Sequence, residues 1–364
     1  MYIFVLIISL SFFFVSHNIY RVLCEPYITS NLLNVLTYSG LCLLGQSYLL
    51  LFHENLNKYL EYFLYIVVYI FCFMFFYYLI MDCIRFFYTQ NNQHLIDYKV
   101  LIFALLLGVY GIFNRYLIKT TEYKIYTDKN VNLRIGFITD MHIGDTGINK
   151  TILNKVVKKI NEKNVDIVIL GGDIVEQYAK YFIDSEIYKY FKDLKTKYGI
   201  YAVLGNHEYY GGMPYVIADT LTQYANIKVL KDEVVEFDNF KIIGREDITK
   251  NYFGNRRKII EKIDKIEPEK YNIVVDHNPA NFKDSVENKI DLQLSGHTHN
   301  GQFFPFNLIV KFFYEKPYGL LKKQDSNLIT SSGLSTWKIP IKLGSKPEIV
   351  IIDIIKKWTH ILKN

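Results

Sequence analysis

The chain opens on long apolar runs and changes, near residue 125, to short apolar runs separated by amphipathic stretches. Four early segments stand out: residues 2–16, about 31–52, about 62–81 and about 100–113. The second and third reach the ~20 residues that a bilayer core requires, while the first and fourth span only by borrowing flanking Tyr, Asn and His. Backbone groups in lipid must bond internally, so all four are expected as helices. Residues 2–16 have no basic leader and no small-residue cleavage site, which favours a retained helix over a signal peptide. From Leu133 onward the runs are four to six residues of Val, Ile and Leu, the pattern of buried strands. They end at Asp140, Asp173, Asn206, Gly244, His277 and His297, with helical patterns between some of them, for example Lys150–Lys163 and Tyr188–Lys197.

This alternation predicts an α/β fold behind an α-helical transmembrane domain. The expected organisation is a membrane anchor of about four helices over residues 1–115, a linker over 116–130 and a catalytic domain over 131–364. Of the 42 lysines and arginines, Lys58, Arg115, Lys119 and Lys124 would share the catalytic side, against Arg21, Arg85 and Lys99 opposite. That count tips the expected location to a multi-pass protein of a bacterial inner membrane with its catalytic domain cytoplasmic. A net charge of +6 over 364 residues is modest. It suits anionic partners such as phosphate esters and makes nucleic acid an unlikely one. Cys24, Cys42, Cys72 and Cys83 all lie in the apolar half, so the other half carries neither a disulfide framework nor a thiolate metal site.

The residues at the ends of the apolar runs carry the chemistry. Asp140, His142, Asp173, Asn206, His277, His297 and His299 all sit just past a strand's last apolar residue, where α/β folds place their ligand sites. These seven offer imidazole nitrogen and carboxylate or amide oxygen and no sulfur, a set suited to manganese, iron or zinc. A carboxylate such as Asp173 can bridge two cations. Two divalent metals roughly 3.5–4 Å apart steady both the attacking and the leaving oxygen of a displacement, and bring the pKa of a bridging water toward neutrality.

Asp140-Met-His142, Gly172-Asp173, Gly205-Asn206-His207-Glu208, His277 and Gly296-His297-Thr298-His299 resemble, in order, the five signature blocks of the calcineurin-like metallophosphoesterases. The resemblance covers roughly residues 130–355 and implies a four-layer α/β/β/α sandwich. Finer matches, at 198–211, 292–302, Ser331-Ser-Gly-Leu and Pro347-Glu-Ile-Val, are similar to a bacterial multi-span branch that includes enzymes cleaving the pyrophosphate of UDP-diacylglucosamine. The family pattern implies that Asp140, His142 and His299 hold one metal, that Asn206, His277 and His297 hold the other, and that Asp173 bridges them. His207 is implied to face the substrate as the catalytic residue. The implied activity is cleavage of a phosphodiester or pyrophosphate, including a lipid- or nucleotide-linked one, by a metal-bridging hydroxide. Asn300 stands where relatives have Gly, a change that a left-handed backbone tolerates.

Weaker features carry paired readings. Arg245, after the Gly244 strand, is a candidate contact to substrate phosphate or a salt-bridged arginine. Residues 303–323, with interleaved aromatics and lysines, suit an interface with lipid or a loop packed on the domain's own core. The charge-rich 250–270 stretch reads as a solvated helix face. Competing functions are a broad phosphomonoesterase and a non-catalytic scaffold, although degenerate scaffolds lose ligands and here every position is filled. Oligomeric state leaves no signal in the sequence.

Overall fold

The computed structural model describes residues 2–20, 31–47, 58–87, 93–144, 147–176, 179–252 and 267–357. Most of the charge-rich 250–270 stretch and the last part of the second apolar segment lie outside them. Two compact units emerge: Met1–Asn114 with Lys338–Leu343, and Arg115–Trp337 with Gly344–Asn364.

The first unit holds four helices, α1 (Tyr2–Ile19), α2 (Asn31–Gln46), α3 (Lys58–Phe87) and α4 (Gln93–Asn114). Phe12, Val15, Phe71, Met74 and Tyr78 form its core. Some of its polar groups find partners within it. Ser16 Oγ donates to the carbonyls of Phe12 (2.9 Å) and Leu41 (3.0 Å), and the Tyr69 hydroxyl donates to Ala104 O (3.3 Å). Among the described residues no helix is long and apolar enough to cross a membrane. This overturns the expected multi-pass anchor, and with it the inner-membrane location and the cytoplasmic placement. The physical reasons are local. α2 carries Asn31, Asn34, Ser39 and Gln46 among its 16 residues, too polar a helix for a hydrocarbon core. In α4, Gln93, His94, Asp97 and Lys99 occupy the first two turns and leave a shorter apolar remainder.

The second unit is α/β with two mixed six-stranded sheets. The first contains β1 (Lys119–Thr127), β2 (Leu133–Ile138), β3 (Ile167–Gly171), β4 (Ile200–Val203), β5 (Ile227–Val229) and β12 (Glu348–Lys356), in the order β1-β12-β2-β3-β4-β5. The second contains β6 (Glu233–Glu236), β7 (Phe240–Gly244), β8 (Tyr271–Val275), β9 (Leu292–Ser295), β10 (Gly319–Lys323) and β11 (Ser326–Thr330), in the order β10-β11-β9-β8-β7-β6. In the first, β2 to β5 run parallel while β12 runs antiparallel to β2. In the second, β7, β8, β9 and β11 run parallel, with antiparallel β6 and β10 at the edges. All six runs read from the sequence are strands. The stretch expected as a linker holds β1, which pairs along its whole length with β12.

Side chains alternate between faces with period two, and that alternation builds the packing. Ile135, Phe137, Ile167, Ile169 and Val203 point from the first sheet into one core with Ile242, Ile273, Val275, Leu292, Leu294 and Ile329 of the second. The intervening residues Ile138, Val168 and Leu170 face a different core, under α5 (Lys150–Asn161) and α8 (Pro214–Ala225). The short helices α6 (Ala179–Asp184), α7 (Asn206–Tyr210), α9 (Phe282–Glu287) and α10 (Phe306–Ile309) complete the unit. The expected Lys150–Lys163 helix is α5, whose first turn is capped by Asn149 Oδ1 accepting from Ile152 N (3.0 Å). The Tyr188–Lys197 pattern becomes a 3₁₀ segment, Ile187–Asp193.

Candidate metal centre

β2, β3, β4, β8 and β9 each end in a short loop that carries one or two of the seven expected ligands. Their side chains converge. One carboxylate or imidazole atom from each of Asp140, His142 and His299 lies within 4.8 Å of the others, and the same holds for Asp173, His277 and His297. The Asn206 Oδ1 sits 2.7 Å from His297 Nδ1, which adds it to the second group. Asp173 Oδ2 faces both, at 3.2 Å from His277 Nε2 and 3.9 Å from His142 Nε2.

Backbone contacts hold the loops together. The Asp140 carboxylate accepts the His297 N–H (3.0 Å) and the Thr139 hydroxyl (2.8 Å), and Asp173 Oδ1 accepts the His207 N–H (2.9 Å). Such close approach needs glycine before the ligand. A Cβ on Gly205 would stand 2.2 Å from Asp173 Oδ1, and one on Gly296 would stand 2.2 Å from Asp140 Oδ2. Five of the seven residues, Asp140, His142, Asp173, His297 and His299, have φ between 45° and 68°, a left-handed region that costs a non-glycine residue about 1–3 kcal/mol. Asn300 also adopts it, at φ 52° and ψ 38°, as its side chain permits.

Electrostatics tests whether cations fit. Asp140 and Asp173 are almost fully buried, and the imidazoles facing them are buried or nearly so. Buried carboxylates demand a compensating positive charge. Burial raises the Asp173 pKa, but His277 and His207 outweigh it and hold the carboxyl well below the usual range. Burial likewise opposes a proton on His277, yet the Asp173 charge lifts that imidazole well above its ordinary value. A carbonyl can only accept, so the contact of His277 Nδ1 with Gly171 O (2.8 Å) makes Nδ1 the donor. Nε2 is thus the nitrogen that faces Asp173, and a cation that displaced its proton would find an imidazole lone pair and a carboxylate oxygen aimed at one place. His142 Nε2 and His299 Nε2 also approach each other, at 3.0 Å. The donor set of nitrogen and oxygen suits two divalent cations.

Two acids, Glu176 and Asp247, escape the sequence reading, and a third, Glu208, stands there only as part of a signature block. Glu176 lies 2.9 Å from His142 Nδ1 and 3.0 Å from His207 Nδ1. Burial raises its pKa, but the two imidazoles pull the carboxyl well below the normal range. Glu208, fully buried, accepts from the backbone N–H of Asp173, Val175 and Gly205 at 3.1, 2.8 and 2.7 Å and ties the β3 loop to the β4 loop. Burial, and after it the Asp173 charge, pushes its carboxyl up to about 7. Asp247, after β7, is buried and its charge acts on His277 and His297. The signal for Asp247 is the same strand-end rule, and for Glu176 its place three residues past Asp173.

His207 is buried beside this cluster. Burial would lower its pKa, but Asp173 and Glu176 lift it to about 9. Its ring packs 4.6 Å from His142 and 6.2 Å from Trp337, centroid to centroid. Of the two readings offered for Arg245, the salt bridge is the one present. Arg245 is only 3% exposed and its Nε donates to Asp232 Oδ1 at 2.9 Å, which is the salt-bridged alternative to a phosphate contact.

Comparison with known proteins agrees with this geometry. Residues 133–301 match the family model described as calcineurin-like phosphoesterase. An uncharacterised metallophosphoesterase of Helicobacter pylori is 34% identical over 253 residues, 66% of this chain and 64% of that protein. The chain therefore spans less than two thirds of that relative. An uncharacterised metallophosphoesterase of Aquifex aeolicus is 32% identical over 260 residues, 69% of this chain and 97% of that one. Among solved structures, a dimetal phosphatase from Danio rerio shows a slight likeness, over 57% of this chain and 89% of its own, at 13% identity and a TM-score of 0.38.

Proposed function

The chain belongs to the calcineurin-like metallophosphoesterase family and is a metal-dependent phosphoester hydrolase, and from that premise we propose that it cleaves a phosphodiester or pyrophosphate bond at a pair of divalent cations. The observation that carries the proposal is the convergence of the loops after β2, β3, β4, β8 and β9 on one buried cluster of nitrogen and oxygen donors. In this reading Asp140, His142 and His299 hold one cation, Asn206, His277 and His297 hold the other, and Asp173 serves both. Manganese, iron and zinc all suit these donors. When bound, the pair supplies the Lewis acidity that ionises water near neutral pH and offsets charge on the phosphoryl oxygens.

The remaining chemistry belongs to the chain's own side chains. His207, kept protonated by Asp173 and Glu176 up to a pKa of about 9, hands its proton to the departing oxygen. Glu176 contacts His207 at Nδ1, which leaves Nε2 as the nitrogen that reaches the substrate. Glu208 fixes the loop spacing on which these distances depend. Phe312 and Phe313, 87% and 76% exposed just before Tyr314, support an amphiphilic substrate such as a lipid-linked phosphoester.

The test is hydrolysis by the full chain, supplied with manganese, of bis(4-nitrophenyl) phosphate and of UDP-diacylglucosamine, with a phosphomonoester for comparison. Turnover of a diester or pyrophosphate is expected, falling by roughly 10²–10³ in His207→Ala. Folded wild-type chain that is inert toward every one of these substrates with manganese, iron and zinc would refute the proposal.

A further inference from the structure

We infer that Tyr210, Tyr314 and Trp337 form a leaving-group subsite beside His207 that accepts a planar aromatic group. The inference rests on the hydrolase reading above and names the kind of ester that the site takes. The three rings arrive from three separate places in the chain, the end of α7, the segment after α10 and the loop after β11. Tyr210 packs 5.8 Å from His207 at 60°, and Trp337 packs 6.2 Å from it at 83°. Tyr314 lies 6.1 Å from His297, and its hydroxyl is hydrogen-bonded to the Asn278 side chain. The residue assigned to protonate the leaving group thus has two aromatic rings, Tyr210 and Trp337, for neighbours, and Tyr314 stands beside His297 of the same cluster.

Trp337 and Tyr210 are 49% and 57% exposed, so each leaves about half of a large ring open at the mouth of a buried polar cluster. Trp337 is nevertheless firmly placed. Its backbone N–H donates to Gln302 Oε1 (2.6 Å), and Gln302 Nε2 donates back to the Trp337 carbonyl (3.1 Å). Gln302 is buried, holds a φ of 59° and lies three residues past His299. One amide therefore binds both backbone groups of Trp337 and ties the indole to the loop that carries His297 and His299. A platform fixed in this way rewards a flat partner, because stacking on an aromatic face is open to any planar ring and much less to a puckered one. Aryl and nucleobase-bearing phosphoesters share that chemistry.

Calorimetry on the full, manganese-supplied chain with three phosphonates of common charge separates the contributions. Methylphosphonate reports the phosphoryl site alone, phenylphosphonate adds a plane, and cyclohexylphosphonate adds similar area without one. In the wild type, phenylphosphonate should bind roughly 3–10-fold more tightly than either of the others. Trp337→Ala should bring that preference within about 2-fold at unchanged methylphosphonate affinity, and Trp337→Phe should retain most of it. Trp337 and Trp358 are the two tryptophans of the chain, so in Trp358→Phe the indole fluorescence reports on Trp337 and should respond to phenylphosphonate and not to methylphosphonate. Equal affinities in the wild type, a cyclohexyl group that binds as well as phenyl, or a preference that survives Trp337→Ala would overturn the inference alone. Failure of all three phosphonates to bind would overturn the hydrolase reading and the inference together.

Discussion

The middle of each sheet and the ends of its strands obey opposite rules. Within β3, Ile167 to Gly171 are buried, apolar side chains alternate between two cores, and the parallel ladders to β2 and β4 account for the backbone. Two residues later Asp173 is a buried carboxylate with a left-handed backbone, hydrogen-bonded to His207 and Glu208 and closely approached by Gly205. The same change occurs past β2, at Asp140 and His142, and past β9, at His297 and His299. Relaxed strands supply the stability that lets strained, charged loops stay in place. The difference teaches where function and folding part company in this chain: changes at strand ends should abolish chemistry at little structural cost, and changes inside strands should do the reverse.

The largest effect expected is at Asp173. Asp173→Asn keeps an oxygen to accept the His207 N–H but removes the charge shared by both groups of donors. Turnover should fall by at least about 10³-fold, more than the loss of one oxyanion donor costs, while the thermal midpoint stays level or rises. A steady-state assay beside a melting curve checks both halves. Glu176→Gln comes next, with an expected loss of about 10–100-fold, the usual consequence of losing a group that orients a ligand. It also carries a pH signature. A histidine whose pKa is raised by neighbouring carboxylates is charged at neutral pH and loses its proton as pH climbs through the raised value, so kcat/KM should descend on the alkaline side in the wild type. With one of the supporting carboxylates neutralised, the descending limb should move to lower pH. A limb that stays in place would remove Glu176 from that role.

Ile169→Ala probes the other side of the comparison. Ile169 is fully buried between the sheets, and its truncation should lower unfolding stability by about 2–5 kcal/mol while folded molecules keep their turnover. Denaturant titration at a temperature where the variant remains folded measures it. The smallest effect is expected at Asn300→Gly, where the backbone is already left-handed, and both stability and rate should change by less than about 1 kcal/mol.

Legibility in the sequence divides along the same line. The five strands that deliver the expected ligands, β2, β3, β4, β8 and β9, are legible because Val, Ile and Leu runs stop abruptly at Asp, Asn or His. β1 is not, since Lys119–Thr127 alternates polar and apolar residues on a half-exposed edge and gains its identity only by pairing with β12, more than 200 residues away. The expected ligands are visible as spaced motifs, and the structure brings all seven together. Arg245 passes for a substrate contact in the sequence because its partner, Asp232, sits on the far side of β6 and β7 in the chain. The apolar front of the chain reads as an anchor on run length alone. Length does not reveal that Phe12, Phe71 and Met74 serve one another, or that tyrosine hydroxyls and serines find partners within the helical unit.

The central claim is that the donors at the strand ends hold two cations. Metal analysis of the full chain after exposure to manganese, combined with anomalous diffraction to locate the ions, addresses it directly. The expected result is two ions per chain, one against Asp140, His142 and His299 and the other against Asn206, His277 and His297, with Asp173 touching both. A chain that takes up no stoichiometric metal, or that binds it away from these residues, would contradict it.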